Sequence, residues 1–270
     1  MNRRSAIVIA ALTLAVLCSA LRDSSAITLD WDQVPWTNGA LNAALDIDPD
    51  RAGNDVTIAI TGSTNRFTSG LVAPNPATPA VTRAFDGGMS VGRNSLELAV
   101  DFGNVTQALT VTFTFSAAYT AGVSNVSFTL FDIDKQATAN SNFEDQVRSI
   151  YATLTNGTQI AATITNVGSS VTLAGVGLGQ TLTGNANAVD LGTGSGAGNA
   201  TISFLSDNIR SISFVYGSGS GAQADPTYQH IGIGDIDYSP VPEINPAWTA
   251  LASCFAAGVL VLRHRANFRK

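Results

Sequence analysis

A strict alternation of apolar and hydroxyl side chains between Leu109 and Phe115 constrains the fold of this chain more than any other feature. Leu109, Val111, Phe113 and Phe115 are apolar, and the three residues between them are threonines. Successive side chains of a β-strand point to opposite faces, so this pattern predicts a strand with one dry and one wet face. Between the two termini, no window shows the 3.6-residue periodicity of an amphipathic helix.

Similar short runs recur along the chain, and turn signals such as Asn156-Gly157 separate them. Nine or more short strands at this spacing predict an all-β protein, an antiparallel β-sandwich with a jelly-roll-like arrangement. Long loops are predicted for residues 63–79, which contain three prolines, and for residues 175–198, which are rich in glycine. The predicted strands are residues 55–61, 96–102, 109–115, 126–134, 147–154, 160–165, 200–205, 209–216 and 230–238.

The dry faces of these strands supply the predicted core. Full burial of one such side chain contributes roughly 1.5–3 kcal/mol, so a core of this extent can support one domain without disulfides. The predicted core residues are Leu109, Val111, Phe113, Phe115, Val126, Phe128, Leu130, Ile202, Phe204, Ile212, Phe214, Ile231 and Ile233.

Both ends of the chain carry signals typical of export. Residues 1–26 have a basic start, an apolar stretch and small residues up to Ala26, which predicts an N-terminal secretory signal peptide. Residues 247–262 carry no charge, and four cations follow them. At 1.5 Å per residue this run forms a helix of about 24 Å, close to a hydrocarbon core of about 30 Å. It predicts a single C-terminal transmembrane helix with the tail in the cytoplasm and the body outside.

The order of these C-terminal parts resembles a known sorting signal. Val241, Pro242 and Glu243 precede the apolar run, and an arginine-rich cluster ends the chain. The arrangement resembles the PEP-CTERM signal of Gram-negative bacteria, although Ile244 follows Glu243 where the family most often has proline. The resemblance implies transient insertion in the inner membrane and cleavage near Pro242 by an exosortase-type protease. Release to the cell surface or extracellular matrix would follow.

The body also resembles the ectodomains of uncharacterised surface proteins that carry this signal. The resemblance rests on segments such as 46–49 and 123–134 and implies a location without a reaction. The chain is therefore predicted to have a signal peptide (1–26), an extracellular β-sandwich domain (27–240) and a sorting tail (241–270).

The body between the two signals is acidic and lacks cysteine. It has seven cations against eighteen acidic residues, a formal net charge of −11 where the whole chain has −6. Cys18 and Cys254 both fall in the terminal segments, so no disulfide is expected although an exported compartment permits one. Nucleic acid is not an expected partner, since phosphate neutralisation needs a basic face.

The sequence Asp-Ile-Asp occurs three times, and two copies follow predicted core strands. If strand alternation continued, Asp132 and Asp134 would share the core face of one strand, and Asp235 and Asp237 that of another. Carboxylates at the edge of a core are costly without partners, and clustered oxygen ligands suit Ca²⁺. The prediction is a structural calcium site at Asp132, Asp134 and Asp145, with Asp235 and Asp237 as a second candidate.

The alternative for these aspartates is a purely structural role. They would then accept backbone hydrogen bonds at the strand ends and pair with Arg148 or Arg210.

Catalytic residues are scarce in the body. His230 is its single histidine and opens a predicted strand, and no Gly-x-Ser-x-Gly motif is present. One histidine without cysteine also disfavours zinc. The sequence therefore predicts a protein that is not an enzyme, with calcium as the one candidate cofactor.

Three functions remain open from the sequence. The first is a structural or adhesive protein of the cell surface or of an exopolysaccharide matrix, which the two signals favour. The second is a carbohydrate-binding jelly-roll module that stacks sugars on exposed aromatic rings. The third is a secreted hydrolase, which would use carboxylates such as Asp132 or Asp235. The aromatic candidates for sugar stacking are Trp31, Trp36, Tyr119, Tyr151 and Tyr228.

Overall fold

The strand between Ala108 and Phe115 has the two faces that its alternation predicts. Leu109, Val111, Phe113 and Phe115 are buried, and the intervening threonines are half-buried or exposed. The computed structural model describes residues 25–88, 93–138, 142–188 and 196–242. Within them, the compact unit runs from residue 26 to residue 241.

The described residues form short strands with two single-turn 3₁₀ helices. The strands are β1 Ile27–Leu29, β2 Asn42–Leu45, β3 Val56–Gly62, β4 Ala80–Thr82, β5 Ser95–Val100, β6 Ala108–Phe115, β7 Val123–Phe131, β8 Lys135–Ala137, β9 Asn142–Leu154, β10 Gln159–Ala161, β11 Thr163–Thr165, β12 Val171–Ala174, β13 Thr181–Gly184, β14 Ala200–Phe204, β15 Ile209–Ser218, β16 Gln229–Ile233 and β17 Ile236–Pro240. The 3₁₀ helices are η1 Thr64–Arg66 and η2 Gly177–Gly179.

The strands form two antiparallel sheets. The first sheet has the order β2-β3-β6-β15-β9, and β13 and β10 lie along the outer side of β9, with β12 beyond β13. The second sheet has the order β4-β5-β16-β7-β14-β11. Strand β17 continues beyond β16 along the same side of β7, and β1 pairs with β17.

Aromatic contacts pack the two sheets face to face. The rings of Phe128 on β7 and Phe214 on β15 stack at 6.1 Å, and those of Phe115 on β6 and Tyr238 on β17 lie 4.9 Å apart. All thirteen predicted core residues are buried, with at most 3% of their surface exposed. The prediction of an all-β antiparallel sandwich is therefore confirmed.

The long strands alternate between the sheets as the chain proceeds. Strands β3, β6, β9 and β15 belong to the first sheet, and β5, β7, β14 and β16 to the second. Each crosses to the opposite sheet from the long strand before it. This alternation gives the sandwich its jelly-roll-like winding.

Several predicted boundaries are wrong, and three of these differences affect the strand topology. The predicted strand 160–165 is two strands, because β10 pairs with β9 in the first sheet whereas β11 pairs with β14 in the second. The predicted strand 230–238 breaks between β16 and β17. The predicted loop 175–198 contains β13, whose Gly184 packs so closely on the backbone of Asp134 that a side chain would not fit. The high glycine content of residues 175–198 is thus partly explained by close packing of the backbone.

The chain from residue 63 to residue 88 covers part of the outer face of the second sheet. It contains η1, and Phe67 and Ser69 make isolated bridges to Val100 and Ala77. Ala84 and Phe85 pack with Phe131 into a small second core. One outer face of the sandwich is therefore partly closed.

Residues 1–24 of the predicted signal peptide, the predicted helix at 247–262 and Glu243 lie outside the described residues. Among the residues that are described, none belongs to a helix with the length and apolar character needed to cross a membrane. Strand β17 ends at Pro240, and the N–H of Val241 donates to the carbonyl of Gly122 at 3.1 Å.

Candidate functional site

In the Asp-Ile-Asp copies the isoleucine, and not the aspartates, packs into the core. Ile133 and Ile236 are 0% and 2% exposed, and Ile47 packs against the same cluster. The predicted core-face position of the aspartates is therefore wrong. The alternation shifts by one residue because Asp132 has a left-handed φ of 60°, and because the second strand breaks at Gly234-Asp235.

The second copy brings two of the three predicted calcium ligands together. Asp134 is 4% exposed, Asp145 has no exposed surface, and the Asp134 N–H lies 3.5 Å from Oδ2 of Asp145. Oδ1 of Asp145 accepts hydrogen bonds from the Tyr216 hydroxyl at 2.8 Å and from the Gln229 amide at 3.1 Å. Oδ2 of Asp134 accepts the N–H of Ala188 at 2.9 Å. Protein donors thus bind both carboxylates.

Burial changes the proton equilibrium of this pair. Desolvation raises the pKa of Asp145 well above its ordinary value, and the Asp134 carboxylate raises it further. Desolvation also raises the pKa of Tyr216, which keeps its hydroxyl a donor. Across the four described ranges, no group of three or more acidic, histidine or cysteine side chains is arranged to hold a metal ion. The calcium site therefore stays a prediction, and Asp132 lies half-buried just after β7.

In the third copy, Asp235 binds the start of the domain. Its Oδ1 accepts the N–H of Trp31 at 3.0 Å, and its Oδ2 pairs with Arg93. The Arg93 guanidinium also lies 3.4 Å from Asp32 and 3.9 Å from Asp30. Desolvation raises the pKa of Asp235 and outweighs the hydrogen bonds from Trp31 and Arg93, which lower it. The positive charge of Arg93 thus lies close to the negative charges of three carboxylates and reduces the repulsion between them.

Asp237 and the two expected arginines lie elsewhere. Asp237 is exposed and accepts the hydroxyl of Thr28 at 2.5 Å. Arg210 donates to backbone carbonyls, and the guanidinium of Arg148 lies 3.5 Å from the amide oxygen of Gln146. The predicted pairing of the aspartates with Arg148 or Arg210 is wrong for the described residues, because Arg93 and Arg51 take that role.

The first copy fixes a buried tyrosine. The Tyr119 hydroxyl donates to Asp55 at 3.0 Å and lies 3.2 Å from Asp48. The Arg51 guanidinium lies 4.5 Å from the centre of the Tyr119 ring and 3.7 Å from Asp48. Tyr119 is 1% exposed, so its predicted role as a sugar platform is wrong.

The histidine of the body is buried against a carboxylate. Nδ1 of His230 lies 3.3 Å from Oε1 of Glu97, which has no exposed surface. The N–H of Leu71 and the hydroxyl of Thr82 donate to Glu97 at 2.9 and 2.8 Å. These bonds attach the covering segment 63–88 to the second sheet. Nothing in the sequence indicated that His230 and Glu97 are in contact.

Among the remaining aromatic candidates, two tryptophans are structural. Trp31 is 1% exposed, so its prediction as a platform is wrong. It packs edge-to-face on the half-buried Trp36 at 5.9 Å, and both indole N–H groups donate to backbone carbonyls. Tyr228 is 69% exposed on a loop. Tyr151 is half-buried on the outer face of the first sheet.

That outer face is lined with hydroxyl groups, and we call it the hydroxyl face. Its rows follow the strand register, in which Thr57 pairs with Thr114 and Thr114 with Ser211. The Thr112 and Ser213 hydroxyls lie 3.0 Å apart. The threonines of β3 and β6 on this face are half-buried or exposed, whereas Ser213 is only 6% exposed. The face comprises Thr57, Ala59, Thr61, Thr110, Thr112, Thr114, Ser211, Ser213, Val215, Gln146, Arg148, Tyr151 and Thr153.

Tyr151 stands at the centre of one row. It pairs with Ser213 on β15 and with Ala161 on β10, and both neighbours have small side chains. Arg148 lies on the same face, and its guanidinium rests against Gly217, where a Cβ would meet it at 3.1 Å. The hydroxyl face thus combines hydroxyl groups, one aromatic ring and one cation that pairs with no described carboxylate.

Comparison with known proteins assigns no family. No family model and no curated protein matches the chain. A family 11 carbohydrate-binding module of Clostridium thermocellum, in complex with a mixed-linked tetrasaccharide, is 11% identical with a TM-score of 0.31, over 83% of this chain and 100% of that one. A family 28 module specific for non-crystalline cellulose is 13% identical with a TM-score of 0.32, over 64% and 96%.

An adhesin is among the similar structures as well. The N-terminal domain of a Streptococcus gordonii adhesin is 11% identical with a TM-score of 0.35, over 83% of this chain and 53% of that one. Scores of this size transfer neither a ligand nor a binding residue to this chain.

Proposed function

We propose that this protein is exported to the cell surface or extracellular matrix, where its hydroxyl face binds a polysaccharide. The observation that carries the proposal is Tyr151, half-buried between Ser213 and Ala161 on the hydroxyl face. The flat apolar side of a sugar ring packs on an aromatic ring, as other apolar groups do. Sugar hydroxyls exchange hydrogen bonds with Ser, Thr and Gln side chains, which both donate and accept.

The dimensions of the face favour a chain over a single sugar. Tyr151 pairs with Ser213, and the Arg148 guanidinium rests against Gly217, four residues further along β15. At about 3.3 Å per residue, Ser213 and Gly217, which mark these two positions on β15, are roughly 13 Å apart. An extended polysaccharide would contact both groups at once, and Arg148 would donate to its hydroxyl or carboxyl oxygens.

Export and processing form the second part of the proposal. Residues 1–26 direct secretion, and residues 247–262 hold the precursor in the inner membrane until an exosortase-type protease cleaves near Pro242-Glu243. The geometry of the domain supports this order. The last strand ends at Pro240, Val241 makes one backbone hydrogen bond, and Pro242 is exposed. Cleavage after Pro242 would leave every described strand intact.

Binding to a panel of immobilised polysaccharides tests the proposal. The protein used is residues 27–242, which contain all strands of the compact unit. Saturable binding to at least one polysaccharide is expected, with no release of reducing ends. Absence of binding across neutral, acidic and amino polysaccharides would remove the proposed ligand class. Release of reducing ends would favour the hydrolase instead.

A further inference from the structure

The outer edge of the first sheet is apolar and unpaired. Strand β12 pairs with β13 and with no other strand of the described residues. Leu173 is 37%, Val176 86% and Leu178 48% exposed. We call β12 and the turn 175–179 the open edge. Exposed strand edges are templates for pairing with another chain.

This edge lacks the charged residues and prolines by which proteins often block such pairing. Residues 149–189 contain no charged residue and no proline, in a body with a formal net charge of −11. Lysine, other charges and proline are the common means of protecting an edge strand. The open edge is thus a neutral strip on an acidic protein.

The hydrogen-bond pattern shows which groups point outward. The N–H of Asn185 donates to the carbonyl of Ser170 at 2.8 Å, so this pair is a hydrogen-bonded pair of the ladder. Along antiparallel strands, hydrogen-bonded pairs alternate with pairs that share no backbone hydrogen bond. Thr172 opposite Thr183 is therefore the next one, and Leu173 directs its N–H and C=O away from β13.

We propose that the open edge is the contact between two copies of this chain. Two β12 strands would pair antiparallel about a two-fold axis at Leu173. Each Leu173 would then exchange both backbone hydrogen bonds with Leu173 of the partner subunit. A second copy fits better than another occupant, because an antiparallel edge is its own complement. The neutral strip also lets two acidic bodies meet without bringing carboxylates together.

Such a dimer has a geometric consequence. Residues opposite each other in antiparallel strands point to the same face, so the two first sheets would become one continuous sheet. Both hydroxyl faces would lie on the same side of it. If these faces bind polysaccharide as proposed, one chain would be bound at two places, which increases avidity without a new contact.

Sedimentation velocity over a wide concentration range tests the dimer on residues 27–242. Wild-type protein is expected to show a concentration-dependent dimer. Leu173→Lys should weaken it at least tenfold, because like charges then face each other across the axis. Val176→Lys should also weaken it, because a charge then replaces the most exposed apolar side chain of the open edge. The matched control is Leu205→Lys, since Leu205 is 73% exposed away from this edge. That variant should dimerise like the wild type.

Two results would overturn the proposal. One is a monomer at every concentration up to about 1 mM, where an association of about 4 kcal/mol is half complete. The other is a dimer that both lysine variants at the edge leave unchanged. Hydrogen exchange of the Leu173 amide supplies a test without mutation. Its protection should increase with protein concentration, whereas constant protection would contradict the pairing.

Discussion

The hydroxyl of Tyr216 donates a hydrogen bond of 2.8 Å to Asp145, and neither side chain has any exposed surface. Gln229 donates to the same carboxylate oxygen, and the hydroxyl of Ser218 lies 3.1 Å from Oε1 of Gln229. This network links β9, β15 and β16 across the two sheets. A buried polar group that loses its partner costs roughly 1–3 kcal/mol, so the network favours one arrangement of these strands.

The network predicts how stability depends on pH. The folded state raises the pKa of Asp145 above its unfolded value, so folded protein binds this proton more tightly than unfolded protein. The resulting stabilisation is complete below the unfolded pKa of about 4 and is lost as the pH rises through the folded pKa. Denaturant unfolding at a series of pH values should show this fall in the free energy of unfolding.

Asp145→Asn provides the control for that experiment. Asparagine keeps an oxygen that accepts from Tyr216 and Gln229 but binds no proton. The variant should therefore show a flatter pH dependence than wild type above pH 4. Asp207→Asn, at an exposed position, should keep the wild-type slope. Identical slopes for Asp145→Asn and wild type would show that another group is responsible.

The calcium prediction is tested by a thermal melt. If Ca²⁺ binds at Asp132, Asp134 and Asp145, it stabilises the folded state by about 2.7 kcal/mol at a hundred times its Kd. The midpoint should then be higher in excess calcium than in EDTA, and Asp134→Asn should abolish the difference. A midpoint that is the same in calcium and EDTA would leave hydrogen bonding as the role of these aspartates.

Gly184→Ala should destabilise the domain. A Cβ at this position would overlap the backbone of Asp134. Backbone atoms cannot rotate out of the way as the end of a flexible side chain can. Overpacking of this kind costs about 1–3 kcal/mol. Gly179→Ala is the matched control, because nothing lies within 4 Å of its Cβ position. Chemical denaturation compares the two variants, and equal stability would contradict the close packing.

Processing at the sorting motif is tested by expressing the full chain in Gram-negative cells that carry an exosortase-type protease. With Pro242→Ala, we expect the precursor to accumulate in the membrane fraction, because the protease no longer recognises its site. Pro240→Ala, two residues upstream, is the control and should be released normally. Unchanged release of the Pro242→Ala protein would count against the sorting assignment.

The core could be predicted from sequence because burial in a sandwich requires only period-two alternation. The prediction failed where a single residue shifts the alternation of buried and exposed side chains by one position. Asp132 and Ser149 have positive φ angles of 60° and 52°, and each shifts which side chains face inward. Such conformations depend on tertiary contacts that local sequence does not encode. The second Asp-Ile-Asp motif was therefore assigned to the wrong face, and the third was misassigned because its strand breaks at Gly234-Asp235.

The hydroxyl face could be predicted only in part. The wet threonines of β6 follow directly from the alternation. The position of Tyr151 does not, because it depends on pairing with Ser213, which is far away in sequence, and on a small residue at Ala161. Trp31 and Tyr119 looked equally suitable as platforms in the sequence, and only their burial excludes them.

Polysaccharide affinity of a single variant tests the central claim most directly. Tyr151→Ala should weaken binding of the best polysaccharide at least tenfold, which corresponds to about 1.4 kcal/mol, while the protein stays folded. Tyr228→Ala removes a tyrosine that is 69% exposed away from the hydroxyl face, and it should bind like wild type. Wild-type affinity in Tyr151→Ala, or equal losses in both variants, would contradict a binding site on the hydroxyl face.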